Sequence, residues 1–417
     1  MKRFVSIGFI WFGCAVAWVI LGGTITARTG ESSGELQREV HLLWGPPLEQ
    51  RLPRAFHRQL VKRKEKVTSV DARGQALVNE VEREEEREID LALDASDIGA
   101  RLTLEHRRKG LLWFPTYGVD FNARYVFHNN TAAPHTAELE FPLGGEGTVY
   151  DGFAVTDGTG KKVEVVVQAD RARWITELAA GERREYRVRY RSRGTSRWGY
   201  QLTAGTGEVR NFRLVLDTDF PAVDFPAGTL SPSRHQAAAG AWHGEWTFTS
   251  LVAGAPIGLE LPQRVNPGPL AQRITFFAPV GLLFFFFVVA ILATARRRRL
   301  HPQHYFFLGC AFFAFHLLFA YLVDHLAILP SFAIASLTSI FLVVSYARLF
   351  VGWAFALREM GIAQILYLVL FSYTFLFPGF TGLAITIGAI LTLFVMMQVM
   401  GRVGLDGDGP TATSPRS

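Results

Sequence analysis

The chain has 417 residues, of which 49% are apolar and 13% aromatic, and its formal net charge is +6. Its mean hydropathy is positive, which excludes an ordinary soluble protein and predicts that part of the chain lies in a membrane. Residues 28–273 hold equal numbers of basic and acidic residues, so this large polar segment is neutral. The basic excess lies in the apolar segments and their flanks, which argues against a nucleic-acid-binding domain.

Six apolar runs predict transmembrane helices. The first, residues 4–27, has no charged residue and follows Lys2 and Arg3. Ile25 occupies the position where a cleavage site after Ala27 would need a small residue, so a retained transmembrane signal anchor is favoured over a cleaved signal peptide. The other five runs predict a transmembrane bundle over residues 274–402, with helices at 274–295, 305–323, 326–346, 363–377 and 381–400.

The distribution of positive charge predicts the topology. Arg296, Arg297, Arg298 and Arg299 follow the second run, and such a cluster is unfavourable to translocate. Both termini are therefore expected in the cytoplasm, as residues 1–3 and as a disordered tail over residues 403–417. The short loops expected on the outer face lack Lys and Arg, and only Arg28 and Arg273 disagree with this pattern. The expected location is the inner (cytoplasmic) membrane of a bacterium, crossed several times, with residues 28–273 in the periplasm.

The outer segment begins with a helical and charged lead-in over residues 28–88. A helical stretch at residues 35–43 is stopped by Gly45, Pro46 and Pro47. The charged run at residues 57–88 is compatible with either a solvated helix or an exposed hairpin.

Residues 89–273 carry short runs of period two, which are typical of β-strands. Turn signals separate these runs, at residues 157–160, 180–182 and 205–207. Since no helical pattern is interleaved, the sequence predicts a large antiparallel β-rich domain with a sandwich fold. The predicted strands lie at residues 121–127, 137–141, 162–167, 185–190 and 209–216.

A catalytic constellation is not recognisable, and neither an enzyme activity nor a cofactor is expected. The only cysteines, Cys14 and Cys310, lie in apolar runs, which excludes a cysteine metal site in the polar segment. His301 and His304 have a spacing that could place two imidazoles on one helix face, but without a third ligand an interfacial helix cap is the favoured interpretation. The glycine-rich residues 144–147 are interpreted as a turn rather than a phosphate-binding loop.

Ionisable residues inside a membrane are costly and often functional. His316, in the middle of the third run, is therefore a candidate functional residue, although a neutral imidazole bonded to a Ser or Thr of a neighbouring helix is the favoured interpretation. Asp324 and His325 are expected at the membrane interface. Tryptophans of the outer segment are expected in the sandwich core rather than in a ligand cage, namely Trp113, Trp198, Trp242 and Trp246.

The junction after the second run carries a basic cluster, Leu300, His301, Pro302, then Tyr305 and Gly309. This pattern resembles the bacterial inner-membrane protein family CreD. Further similarities follow in chain order at Gly45-Pro46, residues 105–111, residues 220–246 and residues 334–337.

The resemblance implies a non-enzymatic protein of cell-envelope integrity and envelope stress, associated with colicin tolerance. It brings no catalytic residues. The expected partners are membrane lipids and an envelope protein or cell-wall component, with no nucleic acid. A small-molecule transporter or channel subunit is the alternative, and a membrane enzyme acting near Asp324 and His325 is a third hypothesis.

The predicted topology can be tested with single cysteines in a Cys14→Ala, Cys310→Ala background. Because residues 28–273 contain no cysteine, Gly158→Cys should react with a membrane-impermeant thiol reagent in intact spheroplasts. Gln303→Cys should react only after the membrane is permeabilised. Labelling of Gln303→Cys in intact spheroplasts would contradict the predicted orientation.

Overall fold

The computed structural model describes residues 2–70, 76–110, 112–145, 147–168, 170–202, 208–252, 254–296, 298, 300–377 and 379–405. The chain divides into two compact units, a helical unit and a β domain. The helical unit comprises Met1–Leu36, Gly110–Leu112 and Val265–Ser417, and the β domain comprises Gln37–Lys109 and Trp113–Arg264.

Six helices in the described part of the chain are long and apolar enough to span a membrane. Together with the β domain, they make the chain a polytopic α-helical membrane protein with a large β-rich domain. Their bounds are α1, Lys2–Trp44; α2, Pro267–Ala295; α3, Pro302–Leu322; α4, Ile328–Val351; α5, Trp353–Leu376; and α6, Thr381–Leu405.

Several helices are longer than the sequence predicted, and α1 and α5 are extended most. Helix α1 continues past residue 27 to Trp44, since no proline interrupts residues 28–44, so the anchor and the helical stretch at residues 35–43 are one helix. It ends before Gly45, which has a positive φ of 92° and donates a hydrogen bond from its backbone N–H to the carbonyl of His41. Both features are typical of a helix C-terminus. Helix α5 begins at Trp353 rather than at residue 363, and it contains π-helical turns at Ala356–Met360 and Ile365–Leu370.

Close packing of the helices depends on residues without side chains. A Cβ atom at Gly309 would lie 3.0 Å from the Sγ atom of Cys14, and one at Gly281 would lie 2.6 Å from the carbonyl oxygen of Tyr367. Glycine therefore allows α3 to approach α1 and α2 to approach α5, as is common where lipid gives helices no hydrophobic reason to associate.

Three sheets form the β domain, with strand orders β13-β14-β12-β4-β5-β10-β7, β3-β2-β6-β9-β8 and β1-β11-β15. The pairings are mostly antiparallel, while β4–β12 and β1–β11 are parallel. The strands are β1, Leu48–Arg51; β2, Arg54–Val70; β3, Ala76–Asp90; β4, Ala92–Lys109; β5, Leu112–His128; β6, His135–Pro142; β7, Tyr150–Asp157; β8, Val166–Val167; β9, Arg171–Leu178; β10, Arg183–Thr195; β11, Arg197–Gln201; β12, Val209–Thr218; β13, Arg234–Ala238; β14, Ala241–Leu251; and β15, Ile257–Glu260.

Aromatic side chains join the two larger sheets into a sandwich. Phe141 of β6 packs against Phe121 and Tyr190 of the facing sheet, with ring centroids 6.3 Å apart in each pair. Tyr125 and Tyr200 are fully buried and share a hydrogen bond of 2.9 Å between their hydroxyls. Burial raises the pKa of both phenols, so they stay neutral and one donates to the other.

The charged run at residues 57–88 lies in a hairpin, which is one of the two alternatives that the sequence left open, and not in a helix. Strands β2 and β3 pair from Phe56 opposite Asp90 to Val70 opposite Ala76. This register sets Arg58 opposite Glu88 and Lys62 opposite Glu84, and opposite charges across a ladder favour the hairpin.

The predicted turns that fall on described residues are present. Oδ1 of Asp157 accepts bonds from the backbone amides of Thr159 and Lys161, and Gly160 and Gly181 have positive φ. The predicted turn at residues 205–207 and the terminal tail beyond residue 405 lie outside the described residues. The strand predicted at residues 162–167 is reduced to Val166–Val167 and an isolated bridge at Lys162.

The end of α1 provides a test of this packing. Gly45→Ala should destabilise the protein by about 1–3 kcal/mol, because a Cβ atom there meets the Arg193 carbonyl at 2.9 Å in a backbone conformation that alanine avoids. Thermal unfolding of the full chain in detergent, followed by tryptophan fluorescence, would measure the loss. Gly30→Ala is the matched control, since its Cβ atom would meet nothing within 4 Å. Equal stability of the two variants would contradict the role of Gly45.

Candidate functional site

The hairpin formed by β2 and β3 is exposed over residues 58–62 and 84–88. Strand β2 pairs with β6 only over Arg54–Phe56, and beyond that point its described pairing is with β3 alone. At about 3.3 Å per residue, the two-stranded part is roughly 45 Å long. A two-stranded ribbon is marginally stable in water, which favours a partner for it.

Exposed apolar side chains interrupt the charge on this ribbon. The exposed fraction is 66% for Leu60 and 37% for Val61. Opposite them in the register lie Glu86 and Glu85, both exposed. Free strand edges, exposed aliphatic groups and carboxylates together make a surface that can bind another polypeptide by strand addition or by contact with basic groups.

A pair of histidines lies where the ribbon leaves the sheet. The rings of His57 in β2 and His135 in β6 stack with centroids 3.8 Å apart. His57 is 4% exposed, and its Nδ1 atom has no hydrogen-bond partner in the described part of the chain. Burial lowers the pKa of His57, and the neighbouring His135 lowers this pKa further. The base of the ribbon is therefore most stable when His57 is neutral.

The predicted junction after α2 is a packing and capping element. His301 is the N-cap of α3, where its Nδ1 atom accepts a hydrogen bond from the Gln303 amide, and Pro302 begins the helix. Leu300 and Tyr305 are buried, and the Tyr305 ring meets Phe286 edge-on at 5.3 Å. These contacts explain the Leu-His-Pro pattern by helix geometry.

The two histidines of the junction have different hydrogen-bond partners. His304 stacks on Phe350 at 4.0 Å, and its Nδ1 atom lies 3.0 Å from the Tyr346 hydroxyl. Among the described residues, no group of three or more His, Cys, Asp or Glu side chains could hold a metal ion. His301 thus has the capping role that the sequence favoured.

Only part of the basic cluster can be described. Nη2 of Arg296 pairs with Oε1 of Glu359 in α5 at 2.8 Å, whereas Arg297 and Arg299 lie outside the described residues and Arg298 is exposed. The charge of Arg28 also has an explanation. Arg28 pairs with Asp324 at 2.9 Å and lies over the Tyr321 ring. The positive charge of Arg28 is therefore balanced by the negative charge of Asp324.

His316 lies buried between α1 and α3. Its ring meets Trp18 at 5.4 Å and Phe315 at 4.8 Å. Its Nδ1 atom is 3.1 Å from the carbonyl oxygen of Phe312 and must donate to it. The hydrogen bond of His316 that the structure describes is thus to a carbonyl of its own helix one turn earlier, and not to a Ser or Thr of a neighbouring helix.

A buried polar cluster that the sequence analysis missed joins α3, α4 and α5. The amide nitrogen of Gln364 donates to the Ser339 hydroxyl at 2.8 Å, and this hydroxyl donates to the Ala311 carbonyl at 2.7 Å. Both side chains are fully buried. The available signal was Gln364 itself, an amide within an otherwise apolar run.

The predicted core tryptophans have two different environments. Trp198, Trp242 and Trp246 are buried, and the Trp242 ring covers Gly244, where a Cβ atom would lie within 2.1 Å of it. Trp113 is only half-buried and lies 4.6 Å beneath the guanidinium of Arg264. The core assignment is confirmed for the first three and wrong for Trp113.

Comparison with known proteins identifies the later part of the chain. Residues 230–402 match the family described as Inner membrane protein CreD, a segment that includes the end of the β domain and helices α2 to α5 with most of α6. This match confirms the resemblance carried by the Leu-His-Pro junction. A search of curated proteins found no match to the chain.

Similarity to solved structures is weak. A putative nutrient binding protein from Legionella pneumophila has 10% identity and a TM-score of 0.34, over 64% of this chain and 84% of that chain. An M1 zinc metallopeptidase from Deinococcus radiodurans has 14% identity and a TM-score of 0.24, over 40% of this chain and 41% of that chain. Similarities this low carry no argument about fold or activity.

The stacked histidines predict a pH dependence of stability. Because the folded-state pKa of His57 lies below its usual value of 6.5, the unfolded chain binds the proton more readily, so stability is retained above pH 6.5 and lost as the pH falls below it. Urea unfolding of the full chain in detergent, measured one pH unit above and one pH unit below 6.5, should give a smaller free energy of unfolding at the lower pH.

His57→Gln should reduce that loss, and His235→Gln is the matched control, because His235 is exposed on β13. The same pH dependence in wild type and in His57→Gln would show that other groups are responsible.

Proposed function

We propose that this chain, whose residues 230–402 match the family described as Inner membrane protein CreD, is a non-enzymatic protein of cell-envelope integrity. In this proposal the β domain lies in the periplasm and its β2–β3 ribbon binds an envelope protein or a cell-wall component. The six helices hold the domain at the membrane. The ribbon is the observation that carries the proposal, since it exposes strand edges and aliphatic groups that the rest of the domain does not cover.

The surroundings of the ribbon support a binding role over a catalytic one. Glu88 and Glu84 lie opposite Arg58 and Lys62 of β2, and at the base of the ribbon Arg54 pairs with Glu88 at 2.8 Å and with Asp90 at 3.0 Å. Exposed pairs of this kind contribute little stability but favour a particular partner and orientation.

Transport is the second candidate function, and the buried polar groups of the helical unit are the observation that favours it. His316 and Gln364 are both enclosed in the bundle. His316 bonds to the Phe312 carbonyl of its own helix, and Gln364 bonds to the Ser339 hydroxyl of α4. Helix packing explains both bonds without a conduction path. His316→Ala in vesicles containing the purified chain would test this candidate by its effect on solute flux.

The third hypothesis, catalysis near Asp324, makes a separate demand. A catalytic carboxylate would not tolerate Asp324→Asn, whereas loss of an exposed ion pair with Arg28 costs about 0–1 kcal/mol. We expect Asp324→Asn to preserve envelope integrity in a complementation assay.

Shortening the ribbon tests the proposed function directly. Replacing residues 60–86 by Asn-Gly keeps the pairing of Gln59 with Arg87 and should close a short hairpin. Cells that depend on this variant should admit a normally excluded dye to the same extent as cells lacking the gene, while the variant reaches wild-type levels in the membrane. If cells with the shortened variant exclude the dye as well as wild-type cells do, the ribbon is not needed for envelope integrity, and the proposal that it binds an envelope component is contradicted.

Photocrosslinking identifies what the ribbon binds. A photoreactive amino acid at position 60 or 86 should capture an envelope component in cells, because Leu60 and Glu86 are exposed opposite each other. Position 161 is the control, since Lys161 is exposed in the turn after β7. Equal capture at all three positions would indicate non-specific contact.

A further inference from the structure

A large cavity, open on part of its surface, lies between α2, α5 and α6 of the helical unit. Its volume is about 790 Å³, within the range of roughly 300–1,000 Å³ that is usual for small-molecule sites. Aliphatic and aromatic side chains form most of its wall, among them Phe284, Leu366 and Leu391. On α5 the lining runs from Arg358 to Thr374, which corresponds to about 24 Å of helix. The cavity is therefore an elongated apolar channel parallel to the helices.

The cavity exists because α6 packs loosely. In the most apolar part of α6, 6% of the residues are buried, against 39% in α2 and α5. Contacts between α6 and α5 include a hydrogen bond of 2.8 Å between the Tyr367 and Thr392 hydroxyls. The Thr392 hydroxyl also donates to the Gly388 carbonyl at 2.7 Å, so the polar atoms of this wall are satisfied and the remaining surface is apolar. Water is a poor occupant of such a space.

One end of the cavity is charged. Arg358 lines this end, is exposed, and has no acidic partner among the residues that the structure describes. Its neighbour Glu359 is bound through Oε1 to Arg296, while Oε2 is enclosed without a hydrogen-bond partner in the same described residues. An exposed cation thus lies at the end of an apolar channel, next to a carboxylate that is already paired.

We propose that this cavity binds a phospholipid, with an acyl chain along α5 and α6 and the phosphate at Arg358. The apolar wall suits an acyl chain, and the channel is longer than the roughly 15 Å of one bilayer leaflet. A guanidinium pairs with phosphate oxygens by charge-assisted hydrogen bonds. A helix from a second copy is a poorer occupant, because it is about 10–12 Å wide and brings no phosphate to Arg358. The inference is independent of the function proposed for the β domain.

Variants of α6 can fill the cavity without disturbing the helix. A Cβ atom at Gly388 would meet nothing within 4 Å, and Gly388 lines the cavity. Gly388→Leu therefore places a side chain where the acyl chain would lie. Gly382→Leu is the matched control on the same helix, since Gly382 has equal space and does not line the cavity.

The full chain would be placed in vesicles that contain phosphatidylglycerol with a photoreactive diazirine in one acyl chain. Labelling of the cavity-lining peptides of α5 and α6 should be strong in wild type and in Gly382→Leu, and about tenfold weaker in Gly388→Leu, which corresponds to about 1.4 kcal/mol. Equal labelling in Gly388→Leu would overturn the proposal. Crosslinks between two chains that disappear in Gly388→Leu would also overturn it, because a second copy would then occupy the cavity.

The phosphate contact has its own test. Arg358→Gln should lower labelling by the phosphatidylglycerol probe about tenfold, to the level given by a diacylglycerol with the same photoreactive chain. Arg348→Gln is the control, because Arg348 lies over the Trp353 ring and does not line the cavity. Equal labelling of wild type by the two probes would exclude recognition of the phosphate.

Discussion

Inside a bilayer, every backbone amide and carbonyl must find its partner within the protein, and this constraint governs the helical unit. The six apolar segments meet it as helices. Lipid removes the hydrophobic reason for helices to associate, so their packing depends on close approach at Gly281 and Gly309 and on a few polar bonds. The bond from Gln364 to Ser339 is one of these, and it joins α5 to α4.

The same constraint explains why α6 differs from its neighbours. It has satisfied its backbone as a helix and therefore needs few side-chain contacts to remain in the membrane. Its bond from Thr392 to Tyr367 leaves an apolar channel with Arg358 at one end. The helical unit thus combines a tightly packed part around α2 and α3 with an open part where a lipid could contribute the missing contacts.

The β domain buries its apolar side chains in a core of its own. Its aromatic core is buried between two sheets, and residues 28–273, which contain the domain, carry equal numbers of basic and acidic residues, so the domain has no net charge that would attract it to anionic lipid. Against this closed core, the β2–β3 ribbon stands out, because only one neighbouring strand pairs with most of β2. Its exposed edges, with Leu60 and Glu86, are a liability unless a partner covers them.

The sequence by itself determined the six apolar spans, the β-rich domain, the turn at Asp157 and the cap at His301, because hydropathy, period-two alternation and capping are local properties. The tertiary structure decided the features that depend on distant residues. Strand β4 was missed in the sequence, and its parallel partner β12 lies more than a hundred residues later. The charged run at residues 57–88 forms a hairpin, in which β2 and β3 pair residue by residue. His316 bonds to the Phe312 carbonyl of its own helix, although the sequence favoured a hydroxyl of a neighbouring helix. Local sequence patterns indicate whether a side chain is buried. The residues that it contacts are decided only by the packing of distant parts of the chain.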